Sequence, residues 1–96
     1  MDITYDPAKN ERNISERGLS FEKVAEFDFE TAIFWVDARQ DYGDVRRLEL
    51  GYLGNRLHVL CFTASVGGIR VISLRANPRE VRRYEQEQAR AKAADR

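Results

Sequence analysis

Three strand-like segments joined by short turns lie in the middle of the chain, and they constrain its fold more than any other feature. Residues 46–53, 56–63 and about 68–75 are rich in aliphatic and β-branched side chains. Gly54-Asn55 is a two-residue, glycine-first connection typical of a β-hairpin, and residues 65–68 form a longer glycine-containing turn. The pattern predicts an antiparallel meander of three strands.

Helix signals lie on both sides of this meander. Asp6-Pro7 is typical of a helix start and Gly18 of a helix end, so a first helix is predicted from about Pro7 to Arg17. The other predicted elements are a short strand at residues 3–6, a short helix from Ser20 to near Phe27, a strand at residues 31–36, and a last helix that begins at Asn77-Pro78.

The chain length of 96 residues fits one small domain. The elements predict an α+β fold in which an antiparallel sheet carries N-terminal helices and a C-terminal helix. No large apolar side chain follows about Glu87. We therefore expect a single domain over residues 1–87, and a solvated helix end or disordered tail over residues 88–96.

Composition excludes several classes of protein. The single cysteine, Cys61, rules out an intrachain disulfide and a thiolate zinc cluster. No apolar run approaches the roughly 18 residues of a membrane span, and residues 1–6 lack the features of a signal peptide, so a cytoplasmic protein is expected. One histidine, scattered carboxylates and the lack of a glycine-rich phosphate loop predict no metal and no cofactor.

Charge is segregated along the chain although the net charge is +0. Residues 1–44 carry five basic and eleven acidic side chains, whereas residues 45–96 carry eleven basic and five acidic ones. Thirteen of the sixteen basic residues are arginine, whose planar fork suits phosphate and carboxylate equally. The pattern indicates either an anionic partner held locally or arginine–glutamate pairing between the two halves.

Strand register divides the side chains between two faces. If Leu53 pairs with Arg56 across the hairpin, an apolar face is predicted to form the core. Its members are Leu48, Leu50, Tyr52, Leu57, Val59, Cys61, Ile72 and Leu74. The other face then collects a polar, arginine-rich patch with Leu60 and Phe62 between its members. That patch comprises Arg47, Glu49, Arg56, His58, Ser73 and Arg75.

This patch suggests two kinds of chemistry. His58 and Glu49 lie diagonally in the predicted register, so they are a candidate acid–base pair, although a lone strand histidine is more often structural. Arginine around a sheet also suits metal-free cleavage of RNA, in which the 2′-hydroxyl is the nucleophile and the protein positions the backbone and stabilises charge.

Three segments of the chain resemble the BrnT toxins of type II toxin–antitoxin systems. The first runs from Asp6-Pro7-Ala8-Lys9 through Glu16-Arg17-Gly18 to Ser20-Phe21-Glu22. The second is Gly43-Asp44-Val45-Arg46-Arg47 with Leu50-Gly51, and the third runs from Ile69-Arg70 through Ile72-Ser73-Leu74-Arg75 to Tyr84. Together they cover about residues 3–85.

The resemblance implies a RelE-like fold and an endoribonuclease that halts translation. It also implies a BrnA-type antitoxin as partner, with DNA contacted only indirectly through that antitoxin. By motif position the resemblance assigns an active-site group of Lys9, Arg46, Arg70, Arg75 and Tyr84. Together with the register, it suggests a further group that contacts RNA: Arg17, Arg47, Arg56, His58 and Ser73.

Three departures from the family pattern predict a slower enzyme. The Arg75-Ala76 junction is one residue shorter than the commoner Arg-Lys-Ala. Arg17 stands where the family has the histidine of Lys-His-Gly, and arginine cannot accept a proton. Val45 stands where a glutamate is usual. The alternative to an enzyme is a binding module whose arginine patch docks an antitoxin segment. A DNA-binding protein in its own right lacks a helix-turn-helix signal.

Overall fold

A computed structural model describes residues 1–37, 45–76, 82 and 85–91. The first 37 residues contain a strand, β1, an α-helix, α1, a 3₁₀ helix and an edge strand, β2. Their bounds are Asp2–Tyr5, Pro7–Arg17, Phe21–Glu26 and Ile33–Asp37. Three longer strands follow, namely β3 (Arg46–Leu53), β4 (Arg56–Ser65) and β5 (Gly68–Arg75).

The five strands form one sheet in the order β1-β5-β4-β3-β2. Strands β3, β4 and β5 make the predicted antiparallel meander, and Leu53 pairs with Arg56 across the hairpin as expected. Gly54 has φ of 65°, a conformation that glycine adopts without strain. Strand β1 pairs in parallel with β5, an arrangement that the sequence pattern did not indicate.

Helix α1 has the predicted bounds because both of its ends are capped. The carboxylate of Asp6 accepts a hydrogen bond from the Ala8 N–H at 2.9 Å, and Pro7 occupies the first turn. Gly18 ends the helix with φ of 69°. The second predicted helix is a 3₁₀ helix, capped by Ser20.

The predicted last helix lies partly outside the described residues. Residues 85–91 are helical, whereas its predicted start at Asn77-Pro78 belongs to the part of the chain not described. The domain boundary at residue 87 stays a prediction. None of the described helices is long and apolar enough to cross a bilayer.

The main hydrophobic cluster lies on the sheet face that α1 and the 3₁₀ helix cover, here called the helix-covered face. Its strand residues are Leu53, Leu60, Phe62, Ile69, Val71 and Leu74, which pack against Phe21, Val24 and Phe27. A second, smaller cluster occupies the opposite face and contains Leu48, Leu50, Leu57, Val59 and Cys61. Both faces of the sheet are therefore apolar at their centres.

The prediction that one face is the core and the other an open polar patch is wrong. The helices cover the face predicted to be open, where Leu60 and Phe62 pack against Phe21 and Val24. In addition, a β-bulge between β4 and β5, where Cys61 pairs with Ser73 but Phe62 pairs with Val71, changes which residues of β5 lie on that face. The extra residue lets both Val71 and Leu74 join the helix-covered face. Ser73 therefore lies opposite Cys61 rather than beside His58, and Leu74 leaves the set predicted for it.

Two buried asparagines attach α1 to the rest of the fold. Asn13 Nδ2 donates to the carbonyl oxygens of Leu19 and Leu74, both at 2.9 Å. Asn10 Oδ1 accepts from the Phe21 N–H at 2.8 Å. These side chains satisfy backbone groups that burial would otherwise leave without partners.

We expect Asn13→Ala to lower the free energy of unfolding by about 1–3 kcal/mol, because the buried Leu74 carbonyl loses its side-chain donor. Urea unfolding measures the change. The matched control is Glu11→Ala, an exposed site on the same helix, which should change stability by less than about 0.5 kcal/mol. Equal stability of the two variants would contradict this account of Asn13.

Candidate active site

A cleft of about 460 Å³ opens where α1 ends beside the start of β4 and the end of β5. Its described lining residues are Arg17, Leu19, Arg56, His58, Arg75 and Ala76. Three of these carry guanidinium groups, one carries an imidazole, and none carries a carboxylate. Guanidinium groups without a competing carboxylate favour an anion, above all a phosphate, as occupant.

Arg17 is held at the cleft by Asn13. Its Nη1 donates to Asn13 Oδ1 at 2.8 Å, while the amide nitrogen of Asn13 is bonded to the Leu19 and Leu74 carbonyls. One of the five guanidinium N–H groups is therefore used to orient the side chain, and the others are available to a ligand.

Arg56 and Arg75 reach the cleft from adjacent strands. Arg56 is the first residue of β4 and is exposed, whereas Arg75 is the last residue of β5 and is half-buried. The register pairs Arg75 with Val59, a residue whose side chain belongs to the opposite face of the sheet. Because it ends its strand, Arg75 still borders the cleft.

His58 is the buried member of the lining, with 6% of its surface exposed. Its Nδ1 lies 2.9 Å from the carbonyl oxygen of Arg56. Arg56 and His58 point to the same side of β4, since they are two residues apart. The sequence prediction that these two residues share a face with Glu49 and Arg47 agrees with the register.

The predicted Glu49–His58 pair is not hydrogen-bonded. Glu49 pairs with Leu60 and His58 with Gly51, so the two side chains are diagonal neighbours as expected. Glu49 Oε2 is nevertheless buried without a hydrogen-bond partner. Burial raises the pKa of the Glu49 carboxyl above its ordinary value.

The remaining predicted site residues that the structure describes lie outside this cleft. Lys9 is exposed on α1, Arg47 pairs with Phe62 in the β3–β4 ladder, and Tyr84 is not among the described residues. Arg70 is exposed and pairs with Thr63, and also with Thr4 of β1.

Arg46 and Ser73 lie near Cys61 on the opposite face. Burial raises the pKa of the Cys61 thiol, and the charges of Arg46 and Arg75 and a hydrogen bond with Ser73 act in the other direction. The three arginines assigned by resemblance are thus divided. Arg75 borders the cleft, whereas Arg46 and Arg70 belong by register to the opposite face.

Sequence reasoning missed Asn10 and Asn13, which build the site without contacting the cleft. The sequence contained a signal for these two asparagines. Asparagine recurs at a spacing of three residues in α1, on the side of the helix that faces the sheet. Polar residues at positions where a helix meets its core indicate specific hydrogen bonds to the backbone.

Comparison with known proteins identifies the family. The family described as the ribonuclease toxin BrnT of type II toxin–antitoxin systems matches residues 5–80. The chain belongs to the BrnT family. It is therefore a ribonuclease toxin of a type II toxin–antitoxin system, and the resemblance seen in the sequence is confirmed. No curated protein matches the chain.

The fold is also that of a BrnT toxin. The crystal structure of the Brucella abortus BrnT ribonuclease toxin matches with a TM-score of 0.62 and 24% sequence identity, covering 80% of this chain and 96% of that one. This match confirms the predicted α+β fold with its mostly antiparallel sheet. The RelE-like classification stays a prediction.

We expect Glu49→Gln to raise the free energy of unfolding at neutral pH, because the amide does not carry the buried charge. The raised pKa means that the folded chain binds a proton more tightly than the unfolded chain. The original protein should therefore gain stability as the pH falls from neutral through the raised pKa towards the ordinary value of 4.5, and the advantage of the variant should disappear.

Thermal unfolding measured from neutral pH down to the ordinary carboxyl pKa of 4.5 tests this expectation. Glu11→Gln, at an exposed position, serves as the control. Parallel pH profiles for the original protein and Glu49→Gln would show that Glu49 is not the group responsible.

Proposed function

We propose that the cleft binds the RNA backbone at one phosphodiester and cleaves it as a metal-independent endoribonuclease that halts translation in the cytoplasm. The supporting observation is the convergence of Arg17, Arg56 and Arg75 with His58, from three elements, around one opening. Three cationic groups disfavour a divalent cation, which prefers carboxylate ligands, and favour the phosphate itself.

Cleavage of RNA requires little beyond these groups. The adjacent 2′-hydroxyl is the nucleophile, so the enzyme must hold the backbone in line and stabilise the negative charge that develops on phosphorus. Guanidinium groups at fixed positions do both, since each donates directional hydrogen bonds to phosphate oxygens.

The type II system implies an antitoxin partner. We propose that this partner is a BrnA-type protein, that it neutralises the ribonuclease, and that any contact with DNA is made through it. The alternative is a binding module in which the arginines serve only to dock an antitoxin segment.

The other site residues assigned from the sequence stay predictions. Those outside the cleft are Lys9, Arg46, Arg47, Arg70 and Ser73. The role of Tyr84, as proton carrier or base-stacking platform, falls outside the described residues.

Replacing a cleft arginine tests the proposal. We expect Arg17→Ala and Arg75→Ala to weaken RNA binding by roughly 10-fold to 100-fold each, because a hydrogen bond to a charged group contributes about 1.5–3 kcal/mol. Fluorescence anisotropy with a short single-stranded RNA measures binding, and denaturing gels with the same RNA measure cleavage. Arg12→Ala removes an exposed arginine of α1 that does not line the cleft, and should leave both unchanged.

The same variants separate an enzyme from a binding module. Growth arrest on expression, relieved by Arg75→Ala but not by Arg12→Ala, supports the enzyme. An original protein that leaves RNA intact, but whose binding to the antitoxin is lost in Arg75→Ala, would establish the binding module instead.

A further inference from the structure

His58 differs from the other described residues of the cleft in its proton chemistry. Leu19 and Ala76 carry no ionisable group, and the three arginines do not release a proton under ordinary conditions. Imidazole, in contrast, accepts and releases a proton near neutral pH. Among the described lining residues, proton transfer by a side chain therefore depends on His58.

The hydrogen bond to Arg56 determines which ring nitrogen is available. Nδ1 lies 2.9 Å from the Arg56 carbonyl oxygen, and a carbonyl oxygen only accepts. Nδ1 therefore carries a hydrogen in the neutral ring as well as in the charged one. The neutral ring has its free lone pair on Nε2.

Among the described residues, Nε2 has no hydrogen-bond partner. Within the described residues, the one buried side-chain nitrogen or oxygen without a hydrogen-bond partner is Glu49 Oε2. The hydrogen bond found for the His58 ring is made by Nδ1, so Nε2 is unpartnered yet not sealed from solvent. Only 6% of the residue is exposed and His58 is one of the lining residues, so the cleft is the route by which a ligand would reach the ring.

Hydrogen bonds hold both the backbone of β4 and one ring nitrogen of His58. Strand β4 is paired on both sides, with β3 and with β5, so its backbone is central in the sheet. The acceptor that orients the ring belongs to the same strand, two residues away. A base whose position is fixed by a paired strand needs little rearrangement to reach a substrate.

We infer that His58 is the catalytic base of the cleft and that its Nε2 accepts the proton of the RNA 2′-hydroxyl, an inference that rests on the proposed function. The 2′-oxygen forms a bond to phosphorus, and the bond from phosphorus to the 5′-oxygen breaks. The 5′-oxygen takes a proton from water, and the imidazolium returns its proton to solvent. The products are a 2′,3′-cyclic phosphate and a 5′-hydroxyl end.

The arginines around His58 have a different role from the imidazole. Arg17, Arg56 and Arg75 hold the phosphate, while Glu49 on β3 is a diagonal neighbour that makes no hydrogen bond to the ring. Loss of the base should therefore slow cleavage and leave RNA binding intact. Loss of a cleft arginine should weaken binding.

Two substitutions separate catalysis by His58 from a structural role. In His58→Asn the amide nitrogen takes the place of Nδ1 and can donate to the Arg56 carbonyl, and in His58→Gln it takes the place of Nε2. Neither side chain accepts a proton near neutral pH. We expect both variants to cleave a short single-stranded RNA about 10²-fold to 10⁴-fold more slowly. Thermal unfolding checks that each is folded, and binding is measured with the same RNA carrying 2′-deoxyribose at the cleavage site.

The assignment as base is tested with a substrate whose 5′ leaving oxygen is replaced by sulfur, which departs without a proton. The rate deficit of both variants should persist on this substrate, and its disappearance would overturn the assignment. Full cleavage by a folded His58→Asn would also overturn it, while leaving the proposed function intact. If the original protein itself neither binds nor cleaves RNA, the proposed function fails, whatever the variants do.

Discussion

The amide of Asn13 joins three segments that border the cleft, namely the end of α1, the loop after it and the end of β5. Its nitrogen bonds to carbonyls in the loop after α1 and near the end of β5, and its oxygen holds Arg17. Hydrogen bonds are directional, whereas apolar contacts tolerate sliding, so these bonds restrict how the helix can move on the sheet. The relative positions of Arg17 and Arg75 depend on them.

A single β-bulge decides which side chains of β5 lie on each face of the sheet. Strict alternation along β5 would place Val71, Ser73 and Arg75 together, but the extra residue turns Val71 towards the helices and leaves Ser73 beside Cys61. On the N-terminal side of the bulge, Arg70 lies on the opposite face, and the pairing of β3 with β2 places Arg46 on that face as well. Arg75 alone among the family-assigned arginines borders the cleft, because it stands where its strand ends.

The charges that would act on a bound anion are those of the cleft rather than the net charge of the protein. A net charge of +0 gives no long-range attraction for nucleic acid, yet the cleft gathers three guanidinium groups and no carboxylate among its described lining residues. At physiological ionic strength charges act over about 8 Å, so a bound phosphate responds to these groups far more than to the total. Such a site suits a ribonuclease that grips one phosphodiester rather than a protein that coats a duplex.

Local sequence by itself determined the ends of α1, the Gly54-Asn55 hairpin and the register of β3 with β4, because caps, turns and alternation act over a few residues. It also contained enough of the family's spacing to identify a BrnT toxin. Only the tertiary structure decided which sheet face the helices cover, that β1 runs parallel to β5, and that Arg17, Arg56, His58 and Arg75 share one cleft. These features depend on a bulge and on hydrogen bonds between residues up to 65 positions apart, which no local pattern specifies.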